Sequence, residues 1–203
     1  MFAQYLQLGF QHIADLAAYD HILFIVALCA IYRLSEWKKV AILVTAFTIG
    51  HSVTLALAAL DIIRFPQAWI EFLIPVTIVA TAVYNLVAHR DTGESSEGIF
   101  NRRLQLNYLF ALLFGLIHGM GFSNFFRALL LPGEESELAA QLFAFNIGVE
   151  LGQLAIVAVI LTVSFLVFSI LRMRQLHWNW LVSGIAGVMA LRMALERVAD
   201  LGL

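Results

Sequence analysis

Apolar residues run in long blocks separated by short polar connections, and the blocks fall at roughly 17–34, 38–60, 67–88, 104–131, 137–171 and 178–200. Each approaches or exceeds the ~20 residues that carry an α-helix across a ~30 Å hydrocarbon core, so six transmembrane helices are expected. The unbroken runs lack the period-two alternation of a transmembrane β-barrel. The expected fold is all-α, a polytopic transmembrane helical bundle forming one domain over residues 1–203. Ahead of the first block, Phe2, Leu6, Phe10 and Ile13 recur at helical spacing and predict a short helix lying in the membrane interface. This start, or the long fifth block, is available to supply a seventh helical segment.

The connections refine the picture. Asp61 to Pro66 and Pro132 to Glu137 read as compact turns, and His89 to Arg103, rich in Gly, Ser and acids, reads as a mobile loop. Pro75 is expected to kink the third block. Arg33, Lys38 and Lys39, then Arg90, Arg102 and Arg103, then Arg172 and Arg174 occupy alternate connections, whereas Glu134, Glu135 and Glu137 lie in another. By the positive-inside rule, both termini face outside.

Composition agrees with a membrane protein. Hydrophobic residues make up 62% of the 203, charged residues 13%, and the mean hydropathy is +0.88, outside the range of ordinary soluble domains. A net charge of −2 gives no electrostatic case for nucleic acid, so the lipid bilayer is the expected partner, with a homo-oligomer open. The single cysteine, Cys29, excludes an intrachain disulfide and a Cys-rich metal site. Met1 to Leu16 carry neither a basic start nor a cleavage pattern, so no cleaved signal peptide is expected.

Against this apolar background the polar residues stand out. His12, His21, His51 and His118 lie in or beside apolar runs, as do Asp20, Glu71 and Glu150. Intramembrane ionisable groups are costly and mark functional sites by default. At ~1.5 Å rise per residue, Asp20, His21, His51, Glu71, His118 and Glu150 fall at similar outer-half to central depths on five helices. Asn146, Glu150 and Gln153 are spaced i, i+4, i+7 and share one helix face. Gly115 and Gly119 bracket His118, and Gly148 and Gly152 bracket Glu150, in the small-xxx-small spacing of close helix contacts. Thr45, Thr48 and Ser52 share a face near His51. His89 and His177 flank inner loops and read as solvated, and Asn85 reads as a helix-to-helix hydrogen-bonding residue or as lining for an exit path.

Imidazole nitrogen with carboxylate oxygen suits borderline divalent ions such as zinc, nickel, cobalt or copper. The expected metal site comprises His21, His51, His118 and Glu150, with Asp20 and Glu71 as ligands or their partners, and His12, Asn146 and Gln153 orienting them. The plainer reading is a set of structural residues hydrogen-bonded between helices. A weak parallel repeat is also visible, His51 then Glu71 in one hairpin and His118 then Glu150 in the next, as in transporter architecture.

Several stretches carry a resemblance: Gly9-Phe10-Gln11-His12-Ile13, Asp20-His21-Ile22-Leu23-Phe24, Leu43 through Leu55, Phe114 through Phe122 and Phe145 through Gln153. In this order along most of the chain they resemble the HupE/UreJ family of small bacterial membrane proteins. The resemblance implies a nickel or cobalt permease in the bacterial inner membrane. Asp20-His21 also looks like the Asp-His element of nickel/cobalt permeases, which carry a further histidine four intervening residues upstream. Asp15 stands at that position here, and His12 lies almost a turn beyond it.

Three functions are therefore weighed. Transition-metal transport uses the whole constellation. A membrane-embedded zinc hydrolase would use three histidines and a bound water, with Glu150 or Glu71 as base, although no HExxH is present. An accessory subunit would use the polar layer structurally.

Overall fold

The computed structural model describes residues 1–88, 102–129 and 137–202. Among these residues there are seven α-helices and no strand: α1 Phe2–Ala14, α2 Asp20–Cys29, α3 Trp37–Ala59, α4 Gln67–Ala88, α5 Arg102–Leu129, α6 Leu138–Ile170 and α7 Gln175–Val198. Among the described residues, three segments are long and apolar enough to cross a membrane, Leu34–Ala59, Gln67–Val87 and Leu138–Ile170, with shorter apolar helices at Asp20–Cys29 and Asn107–Phe122. The expected loop over His89 to Arg103 lies outside the described residues up to position 101, and so does the expected turn from Pro132 up to Ser136.

The first block departs most from the pattern-based reading. Its helix, α2, has only ten residues, ~15 Å of rise and half a hydrocarbon core. The amphipathic start does not lie apart from the bundle. Gly9 packs against the Phe145 and Val149 backbone, Gly148 against Leu6 and Phe10, and Gly152 against Phe10 and Ile13. Residue numbers rise together along this contact, so α1 runs parallel to α6. Two glycines at the crossing let the backbones meet, and a Cβ on either would fall onto a carbonyl oxygen of its neighbour. The chain then bends through residues 15–19 and continues as α2, which packs against α4, α7 and α6. Hence α1 and α2 are two short helices joined through residues 15–19, where one apolar block is expected to begin.

A second glycine crossing joins α3 to α5. Gly50 faces the Leu112 and Gly115 backbone, Gly115 faces Phe47, and Gly119 faces His51, again with both chains running the same way. By contrast α4 and α7 are antiparallel: Glu71 pairs with Arg197 at one end, and Asn179 donates to the Asn85 carbonyl (2.9 Å) at the other. Asn85 also donates to Ala27 O (2.7 Å) and to Ser183 Oγ (3.2 Å), tying α2, α4 and α7 together. That is the helix-to-helix role.

Pro75 lies within α4, which stays helical through it. The turn after α3 is a tight C-terminal cap, with the Ile62 amide donating to Leu57 O (2.9 Å) and Asp61 in the left-handed region (φ 60°). Arg64 clasps the Asp61 carboxylate from outside the turn. The buried core gathers Ile13, Phe24, Phe47, Leu55, Phe145 and Val149 from four helices around the histidines.

Candidate metal centre

The break between α1 and α2 positions the first two imidazoles. His12 sits in the last turn of α1 and His21 in the first turn of α2, and their ring centroids are 4.6 Å apart. α3 contributes His51, with centroids 5.8 Å from His12 and 6.3 Å from His21. One ligand atom from each of these three lies within 4.8 Å of the others. A metal bound to imidazoles at ~2.0–2.1 Å places tetrahedral nitrogens ~3.3–3.5 Å apart, so modest ring rotations close this triad. On α5, His118 stands 5.1 Å from His21 between ring centroids, and its Nε2 is 3.2 Å from Thr77 Oγ1.

Burial decides how these rings are to be read. His51 is 0% exposed, His118 1% and His21 5%. Yet His12 Nε2, His21 Nε2, both nitrogens of His51 and His118 Nδ1 are buried with no hydrogen-bond partner, while His21 Nδ1 faces Asp20 Oδ1 at 2.9 Å. Each buried polar atom left unsatisfied costs ~1–3 kcal/mol, and structural histidines avoid that cost by pairing. A cluster of unpaired nitrogen donors fits a divalent ion. Aromatic rings wall the cluster: Phe122 lies 3.9 Å from His12, Phe47 5.1 Å from His118, and Phe145 stacks 6.3 Å from His51.

Asp20 orients the site. Its Oδ1 accepts from the His21 main-chain N–H (2.8 Å) and stands 2.9 Å from His21 Nδ1, out of line for a ring hydrogen bond. A small ring rotation would let Nδ1–H donate to it and leave Nε2 for a metal, the usual carboxylate–histidine arrangement.

The remaining candidates divide. Glu71 is engaged elsewhere: it accepts from Gln67 Nε2 (3.0 Å) and pairs with Arg197. Glu150 Oε1 accepts from Thr45 Oγ1 (2.6 Å), and the single Thr48 hydroxyl proton is shared between Glu150 Oε2 (2.5 Å) and Gln153 Oε1 (2.7 Å). Neither glutamate belongs to the three-histidine group, so the carboxylates considered as hydrolase bases are held by other partners. Asn146 Oδ1 is buried without a hydrogen-bond partner. His177 is exposed, and His89 lies outside the described residues.

The residue pattern assigns His12 only a supporting role, whereas the structure groups it with His21 and His51. The available signal was its spacing. Gly9 precedes His12 by three residues just as Gly115 precedes His118, and both glycines sit at helix crossings.

No curated protein and no solved structure matches this chain. The family model described as HupE / UreJ protein matches residues 1–197. With nearly the whole chain covered, and a histidine cluster at its centre, the chain belongs to the HupE/UreJ family, whose members are linked to nickel and cobalt handling in accessory or transport roles.

Proposed function

We propose that this protein moves a divalent transition metal of the nickel/cobalt class across the bacterial inner membrane, binding it at His12, His21 and His51 with His118 alongside. The observation carrying this reading is the set of unpartnered imidazole nitrogens on the buried His21, His51 and His118 and the half-buried His12, three of which converge. Neutral nitrogen donors without thiolates favour nickel, cobalt or zinc over hard ions, and protonation offers a route to release.

The reading includes six crossings. α1 and α2 together make the first, and α3 to α7 make the rest, with both termini outside. Alternating crossings require α1 parallel to α6, α3 parallel to α5 and α4 antiparallel to α7, which are the relations at the glycine crossings and the Glu71–Arg197 pair. A broken first segment with ligands at its break follows the logic of transporters, where interrupted helices line the ion site.

Metal analysis of mildly purified protein, followed by uptake into proteoliposomes, tests the proposal. Bound nickel, cobalt or zinc and saturable uptake lost on His51→Ala are expected. Metal-free protein that takes up none when supplied would overturn it, and tightly retained zinc without flux would point to the hydrolase.

A further inference from the structure

Glu150 is not used by the histidine site, and its surroundings are of a different chemical kind. It lies near the middle of α6, half-buried against α3. Two α3 hydroxyls face it. Thr45 Oγ1 lies 2.6 Å from Glu150 Oε1 and 2.9 Å from Ala41 O. Thr48 Oγ1 lies 2.5 Å from Glu150 Oε2, 2.7 Å from Gln153 Oε1 and 3.1 Å from Val44 O. Two hydroxyl protons therefore face three side-chain acceptor oxygens, because Ala41 O and Val44 O already accept their own helix amides. Turning the Gln153 amide over would supply one more donor and leave the carboxylate's charge unmatched. Among the described residues no Lys, Arg or His lies in ion-pair range of Glu150. A carboxylate in the middle of a membrane helix with no cationic side chain beside it takes up either a proton or a cation from elsewhere, and the oxygen donors around Glu150 suit a cation.

The donor set states which cation. Every donor is oxygen: one carboxylate, two hydroxyls, one amide carbonyl and helix carbonyls. Oxygen sets select hard ions, whereas the imidazoles one turn away select borderline ones. A single negative charge balances a monovalent ion, and divalent calcium generally recruits more carboxylates. We infer that Glu150, Thr45, Thr48 and Gln153 form a second site, for one sodium-class cation, separate from the histidine centre. The two sites share α3: Thr48 precedes His51 by three residues, ~4.5 Å of rise, and Ser52 Oγ donates to Thr48 O (2.6 Å). Occupancy of one site thus bears on the helix turn that presents the other, and the monovalent ion acts as the coupling ion for metal movement. This coupling role rests on the transport reading; the site itself does not.

The test measures radioactive sodium binding to the reconstituted full-length protein, with nickel binding measured on the same samples. Saturable binding of about one sodium per chain is expected, at least tenfold weaker in Glu150→Gln and Thr48→Val, and retained in Thr48→Ser and His51→Ala. Wild-type protein without saturable sodium binding overturns the inference, as does a Glu150→Gln variant that binds sodium normally. Potassium and lithium competition on the wild type gives an independent reading should a variant fold poorly: lithium displacing sodium better than potassium supports a small oxygen cage, and equal displacement overturns it. Failure of nickel binding with sodium binding intact removes the metal reading and leaves this site standing. An inward sodium gradient should stimulate nickel uptake in the wild type and not in Glu150→Gln, and gradient-independent uptake overturns the coupling role.

Discussion

His12 and His21 bring their rings to 4.6 Å although they belong to different helices, one ending α1 and the other opening α2. The chain between them runs exposed through residues 15–19, so the imidazoles and not the linker mark where the two half-helices meet. A metal shared by these rings and His51 would pin the break to α3. Binding and stability should therefore move together.

Nickel at a hundredfold its dissociation constant is expected to stabilise the protein by ~2.7 kcal/mol, through mass action on the folded state alone. Thermal unfolding in detergent should show a higher Tm with nickel, reversed by chelator. The shift should vanish in His21→Ala and persist in His177→Ala, whose ring is exposed.

Replacing His51 by leucine separates function from stability. Both His51 nitrogens are buried without partners, between Phe47 and Phe145, and such atoms cost ~1–3 kcal/mol each. In metal-free protein His51→Leu should raise Tm, while nickel affinity falls at least tenfold in equilibrium dialysis. A drop in metal-free Tm would mean that the imidazole is satisfied in the fold.

Much of this was legible in the residue pattern, for physical reasons that vary by element. α3, α4 and α6 are long apolar runs between polar ends, and bilayer thickness dictates such runs directly. The α1–α2 break was hidden because Ala17, Ala18 and Tyr19 continue the apolar composition across it, and composition does not record where a helix bends. The docking of α1 on α6 depends on Gly9 and Gly148 meeting, a tertiary event that either glycine alone does not announce. The histidines were conspicuous as polar residues in apolar surroundings. For the glutamates, depth suggested a common layer, but direction around the helix decided the outcome: Glu71 turns to Arg197, and Glu150 to Thr45 and Thr48.

Metal binding should weaken with acid. An imidazole offers its lone pair only when neutral. Protons therefore compete with the ion for the same nitrogens, and binding releases protons. Nickel affinity is expected to fall as the pH is lowered, and to return when the pH is raised again. A flat profile would point to oxygen ligands instead.

Glu71 and Arg197 make a contrasting prediction. Their pair joins α4 to α7 with the side chains 32% and 47% exposed, so solvent screening keeps its contribution within ~1 kcal/mol. Glu71→Gln should bind nickel as the wild type does and shift Tm only slightly. Loss of nickel binding in that variant would return Glu71 to the metal site.

The glycine crossings give the sharpest test of the packing that positions the histidines. A Cβ on Gly50 would fall onto the Leu112 carbonyl oxygen, and one on Gly115 onto the Phe47 carbonyl oxygen, both backbone atoms that cannot rotate aside. Gly50→Ala or Gly115→Ala must push α3 from α5, at an overpacking cost of ~1–3 kcal/mol. The same displacement moves His51 relative to His118, so nickel affinity should drop together with Tm. Gly184 on α7 has nothing within 4 Å of its would-be Cβ. Gly184→Ala should instead leave nickel binding unchanged and gain up to ~1 kcal/mol from helix propensity. Equal effects at Gly50 and Gly184 would show that the α3–α5 crossing does not set the spacing of the imidazoles.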